Sequence, residues 1–144
     1  MINRKDLMIN DLLQTEDGRI GKYNGEFRRC ITCDSDFYRI CLMSIRSDTD
    51  GLHLPEARVN PIPLTEEILL KTGFRITGSF IELVEYALND VDTEICVFYN
   101  RESNTPYFYA EIANVEVEIK DVHHLQHLLR LCGMREIADN LKIE

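Results

Sequence analysis

The stretch Asn60-Pro61-Ile62-Pro63-Leu64-Thr65-Glu66-Glu67 separates two kinds of sequence pattern. Pro61 and Pro63 fix φ and remove two N–H donors, so the chain is held extended there and no helix crosses it. A short helix is predicted directly afterwards. Thr65 caps it, Glu66 and Glu67 oppose the positive end of its dipole, and Lys71 sits in its last turn. Gly73 is placed for the left-handed residue that ends a helix, and Leu64 is placed to staple against Leu69. The prolines therefore mark the expected boundary between a subdomain of residues 1-60 and one of residues 61-144.

Upstream, the pattern is that of a β-meander. Asp17-Gly18 and Asn24-Gly25 are two-residue hairpin signals, because type I′ turns need positive φ at both central positions. They separate strands expected at Leu12–Thr15, Arg19–Tyr23 and Glu26–Cys33. Asp34-Ser35-Asp36 turns the chain into Phe37–Ile45, and a polar stretch from Arg46 to Gly51 leads to Leu52–Leu54. Short strands joined by tight turns predict a small SH3-like β-barrel.

Downstream, Ser79–Leu88 has two readings. Ser79 and Glu82 fit a capping box, with Leu83, Val84, Ala87 and Leu88 on one helical stripe, yet the neighbouring segments are strands. Strands are expected at Glu94–Tyr99, Tyr107–Ile112 and Val115–Ile119. In the last of these, Val115, Val117 and Ile119 alternate inward against outward Glu116 and Glu118. A helix from Asp121 to Cys132, ended by Gly133, and a shorter one over Arg135–Leu141 close the chain. The fold class is α+β: an N-terminal SH3-like small β-barrel, then a helix, an antiparallel sheet and C-terminal helices.

The chain has 144 residues, 44% hydrophobic and 28% charged, which excludes wholesale disorder. Its net charge of −9 is unevenly divided. Residues 1–60 carry 9 Lys/Arg and 10 Asp/Glu, whereas residues 61–144 carry 7 and 15, a net of −8. Bulk charge thus argues against nucleic-acid binding, which is built largely on Lys and Arg. A local basic surface remains open within residues 19–46, where Arg19, Lys22, Arg28, Arg29 and Arg39 outweigh the acids. Five cysteines without a signal-like apolar run read as reduced thiols. No membrane span is expected, and a cytoplasmic location follows.

Three strings carry a resemblance: Leu7-Met8-Ile9-Asn10-Asp11-Leu12, Pro61-Ile62-Pro63-Leu64-Thr65 through Gly73-Phe74, and Val122-His123-His124-Leu125-Gln126-His127-Leu128-Leu129-Arg130-Leu131-Cys132-Gly133. In this order the chain resembles a family of short uncharacterised proteins of gut Bacteroidetes, often found in prophages and other mobile elements. Relatives tend to have Gly at the position of Asn10. The resemblance implies a shared fold and a genomic setting, supplies no activity or catalytic residue, and tilts Ser79–Leu88 toward strand.

Several motifs suggest chemistry. His123, His127 and Arg130 line up at i, i+4 and i+7 on the helix side opposite Val122, Leu125, Leu128, Leu129 and Cys132. His123 and His127 can therefore share a metal ion, but the metalloprotease pattern needs Glu after the first His, where His124 stands. The pair His124 and His127 lacks that Glu as well. A solvent-facing polar stripe, or one packed on the barrel through Arg130, is the plainer reading. Cys30-Ile31-Thr32-Cys33 matches C-x-x-C, but on a strand its two thiols point to opposite faces. Asp48-Thr49-Asp50-Gly51 fails as a calcium loop, because Arg46 and Ala57 would occupy positions that need acids. The aromatics Phe98, Tyr99, Tyr107, Phe108 and Tyr109 could form a base-stacking platform, yet only Arg101 and Lys120 counter the acids around them.

No hydrolase, nucleotide-binding or kinase motif is present, so no cofactor and no catalytic residue are expected. The leading expectation is a non-enzymatic binding or adaptor protein with a protein partner, accessory to a phage or mobile element, with His123, His127 and Arg130 as candidate binding residues. The alternatives are a nucleic-acid-associated protein using Arg19, Lys22, Arg28, Arg29 and Arg39, an acidic mimic of nucleic acid, and a metal-dependent enzyme centred on His123 and His127.

Overall fold

The computed structural model describes residues 2, 4–29, 37–44, 47–54, 58–90 and 93–143. The chain divides into two compact units, Met1–Ile62 and Pro63–Glu144. It is mixed α+β, with one antiparallel sheet in each unit.

The first unit contains β1 (Leu12–Thr15), β2 (Ile20–Arg29), β3 (Phe37–Ser44), β4 (Ser47–Leu54) and β5 (Val59–Pro61) in the order β4-β3-β2-β1-β5. Among the described residues the two end strands do not pair, so the sheet is open. Pro61 lies on the end strand β5, where its missing N–H is tolerated. Ile2, Leu13, Tyr23, Leu42 and Val59 form the core cluster.

Two sequence expectations change here. Asp17-Gly18 does turn β1 into β2, with Gly18 at φ 83°. Asn24-Gly25 does not turn the chain: β2 runs through it, and the register with β3 slips between Tyr23 and Glu26. Gly25, at φ 93°, serves a β-bulge, which needs the same left-handed backbone as a hairpin turn. The polar stretch before Leu52 also belongs to a strand, since β4 begins at Ser47. As an end strand it has a neighbour on one side only, where polar residues are common.

The second unit opens with α1 (Glu66–Thr72). The Ile68 N–H donates to Thr65 Oγ1, Gly73 adopts φ 107°, and Leu64 and Leu69 are both buried. A sheet of order β10-β9-β8-β7-β6 follows, made of β6 (Arg75–Ser79), β7 (Leu83–Asp90), β8 (Thr93–Asn100), β9 (Tyr107–Ile112) and β10 (Val115–Ile119). The helical alternative for Ser79–Leu88 is thereby excluded: it is the β6–β7 hairpin, whose tip leaves Phe80 and Ile81 exposed. α2 (Val122–Leu131) and α3 (Arg135–Asp139) complete the unit, joined through Gly133 at φ 83°.

Strand alternation gives this sheet two unlike faces. Val84, Tyr86, Leu88, Ile95, Val97, Phe108, Ala110 and Ile119 are buried on one, and Tyr86 donates from it to Glu66 of α1. Val115 and Val117 share that face by register, yet they are exposed, β10 being an edge strand.

Candidate functional site

The opposite face carries Phe98, Tyr107 and Tyr109 together with Glu85, Glu94, Glu111, Glu116 and Glu118. Register places them so: Phe98 faces Tyr109 and Glu85, and Glu118 also faces Tyr109. The Phe98 and Tyr109 rings stack with centroids 5.2 Å apart, and Tyr107 lies 5.8 Å from Tyr109. All three rings are half-buried, and Glu94, Glu111, Glu116 and Glu118 are exposed.

Glu111 stands directly across the β9–β10 hairpin from Glu116. Like charges in that position repel and destabilise the pair. Tyr107 donates its hydroxyl to Glu116 at 2.9 Å, and Lys120 pairs with Glu118 at 3.4 Å. Burial and the carboxylates of the face shift its titrating groups. The bond to Glu116 holds the Tyr107 hydroxyl above its ordinary pKa. Burial, then the charges of Glu116 and Glu111, do the same to Tyr109. Burial and the neighbouring Glu94, which accepts the thiol at 3.5 Å, push Cys96 up to about 11. A surface of aromatic rings edged by carboxylates binds cations through ring faces and charge together.

The basic residues of the first unit are distributed over the β1–β2 turn, β2 and β3. Arg19, in the β1–β2 turn, pairs with Asp17 at 2.8 Å, and this pairing lowers the Asp17 pKa to about 2. Lys22 lies near the start of β2, opposite Leu12 and Met43. Arg28 and Arg29 sit at the far end of that strand, and Arg39 lies on β3 opposite Phe27. From Arg19 to Arg29 the strand contour is roughly 30 Å. The C-x-x-C thiols, Cys30 and Cys33, lie outside the described residues.

On α2 the expected solvent-facing stripe is not one. His123 is 4% exposed and belongs to the interior, and His127 is half-buried. Arg130 donates to Asp139 of α3 at 2.9 and 3.1 Å, clamping the two helices beside the Gln126 bond to the Ala138 carbonyl. α2 is covered on more than its apolar stripe, because α3 folds back along it.

The structure brings together a different set at the start of α2. Ligand atoms of Asp121, His123 and His124 all lie within 4.8 Å of one another. The His123 and His124 rings are 4.2 Å apart, whereas His127 is 5.8 and 6.5 Å from them. Burial raises the Asp121 carboxyl above its ordinary pKa. Helical spacing alone pairs His123 with His127 and passes over Asp121, which precedes the helix.

No family model, curated protein or solved structure matches the chain. Among the described residues no helix is long and apolar enough to cross a membrane.

Proposed function

We propose that the protein is a non-enzymatic binding protein whose second unit docks a Lys/Arg-rich segment of a protein partner on the acidic-aromatic face of its sheet. The observation that carries this reading is the Glu111–Glu116 pair, two like charges held directly opposite each other beside stacked aromatic rings. A cationic side chain placed between them removes the repulsion and gains ring contact at once. The uneven charge supports it, with a net of −8 in residues 61–144. A partner whose basic cleft ordinarily takes nucleic acid fits the same surface, which then acts as an acidic mimic.

Two further readings belong with this one. The strand order β4-β3-β2-β1-β5, with short β5 returning beside β1, supports an SH3-like small barrel for the first unit. The resemblance to mobile-element chains supports a role accessory to such an element in a bacterial cytoplasm.

The test uses the full chain and a fluorescent peptide alternating Lys or Arg with apolar residues. Saturable binding that weakens steeply with added salt is expected, and the triple variant Glu111→Gln, Glu116→Gln, Glu118→Gln should lose it. Equal binding by the triple variant sinks the proposal.

A further inference from the structure

We propose that Asp121, His123 and His124 bind one divalent cation of the zinc, cobalt and nickel class, at a site separate from the acidic sheet face. Their ligand atoms already lie within 4.8 Å of one another. Two further observations point to a cation at this place. Asp121 has the extended backbone of an N-cap, φ −135° and ψ 162°, yet its side chain makes no capping bond. Its Oδ2 instead lies 3.7 Å from His124 Nδ1, beyond hydrogen-bond distance. That Nδ1 is buried and makes no hydrogen bond among the described residues. A carboxylate oxygen and an imidazole nitrogen, side by side and too far apart to bond, are both satisfied by a cation between them.

The required motion is small. Shifts of less than about 1 Å per ligand atom bring the donors to the ~2.0–2.2 Å bonding range of zinc. His124, with 38% of its side chain exposed, has room to supply most of it. Two imidazoles and a single carboxylate suit borderline metals and not calcium or magnesium, which prefer oxygen cages. Three protein ligands leave a coordination position for water or a partner's side chain. His124 also lines a groove of about 150 Å³ between α2 and β10, together with Ala110, Val117, His127 and Leu128.

The ion would also tie α2 to the segment that opens the unit. Asp121 forms a bridge with Pro63, and the Leu64 N–H donates to the Lys120 carbonyl at 3.1 Å. Metal binding is therefore expected to raise the melting temperature.

The experiment takes full-length protein without a histidine tag, strips it with chelator and titrates it with cobalt(II) or zinc. Uptake of one equivalent, with cobalt d–d absorption and a higher Tm, is expected. Asp121→Asn and His124→Ala should each weaken binding by more than about tenfold while keeping the wild-type circular dichroism. Absence of stoichiometric uptake, uptake indifferent to both variants, or thiolate-to-cobalt charge-transfer bands would each overturn the site.

Discussion

The hydroxyl of Tyr86, on a fully buried ring of β7, donates to the carboxylate of Glu66 in the first turn of α1. This bond ties the helix to the strand 20 residues further along the chain. Burial first, and the hydrogen bond to Glu66 second, raise the Tyr86 pKa well above the ordinary tyrosine value. The folded state therefore keeps a proton that the unfolded chain releases near pH 10. The resulting stability is complete below that pH and is lost as pH climbs toward the folded value. Tyr86→Phe should cost about 1.5–3 kcal/mol at neutral pH, because the bond is to a charged acceptor. Its Tm should also fall less steeply than that of wild type between pH 9 and 12. A parallel alkaline decline in both proteins would remove Tyr86 as the cause.

The Glu111–Glu116 opposition makes a prediction about stability as well as binding. Glu111→Lys converts a like-charge cross-strand pair into an opposite-charge one. Denaturant titration should show a gain of about 0.2–1 kcal/mol, and the gain should shrink with salt. The same variant should bind the basic peptide more weakly, since it places a cation where the partner's cation docks. A variant both more stable and less able to bind is what a functional surface held at a cost to the fold predicts.

Cys96 provides a chemical reading of the same electrostatic field. Its thiol, pushed up to about 11 from the ordinary cysteine range, has a lowered thiolate fraction at pH 8. Iodoacetamide labelling of the Cys96 peptide, followed by mass spectrometry, should run roughly a hundredfold slower than for an ordinary thiol. Glu94→Gln should recover part of that rate and leave the remainder, which is due to burial. Full recovery would make Glu94, and not burial, the dominant cause.

Local signals carried most of the second unit. Thr65, Glu66, Lys71 and Gly73 specify α1 through bonds within a single turn, so the sequence is sufficient to read it. The expected strands Tyr107–Ile112 and Val115–Ile119 coincide with β9 and β10. Their two-residue connection, Ala113 and Asn114 at φ 51° and 64°, sets the register that places Glu111 against Glu116. That opposition was available from the spacing alone. Asn24-Gly25 misleads because a positive φ at glycine serves a bulge as readily as a turn, and only the partner strand decides between them. The Arg130–Asp139 clamp depends on α3 folding back on α2, an event with no local mark in the helix pattern. Asn10, at φ 72°, occupies a left-handed position where asparagine is tolerated and glycine is at ease.

Gly18 and Gly21 separate two reasons for glycine within a single hairpin. A Cβ at Gly18 would meet nothing within 4 Å, but its φ of +83° strains any other residue. A Cβ at Gly21 would lie 2.9 Å from the Met43 carbonyl oxygen and 3.0 Å from the Leu42 Cβ, so the β2–β3 backbones would have to part. Gly18→Ala should cost about 1 kcal/mol through backbone strain. Gly21→Ala should cost more, about 1–3 kcal/mol, as an overpacking defect beside the buried Leu42. Amide exchange should then show lost protection at the β2–β3 pairing in Gly21→Ala and not in Gly18→Ala. The reverse order of stabilities would mean that the two strands approach less closely than this spacing.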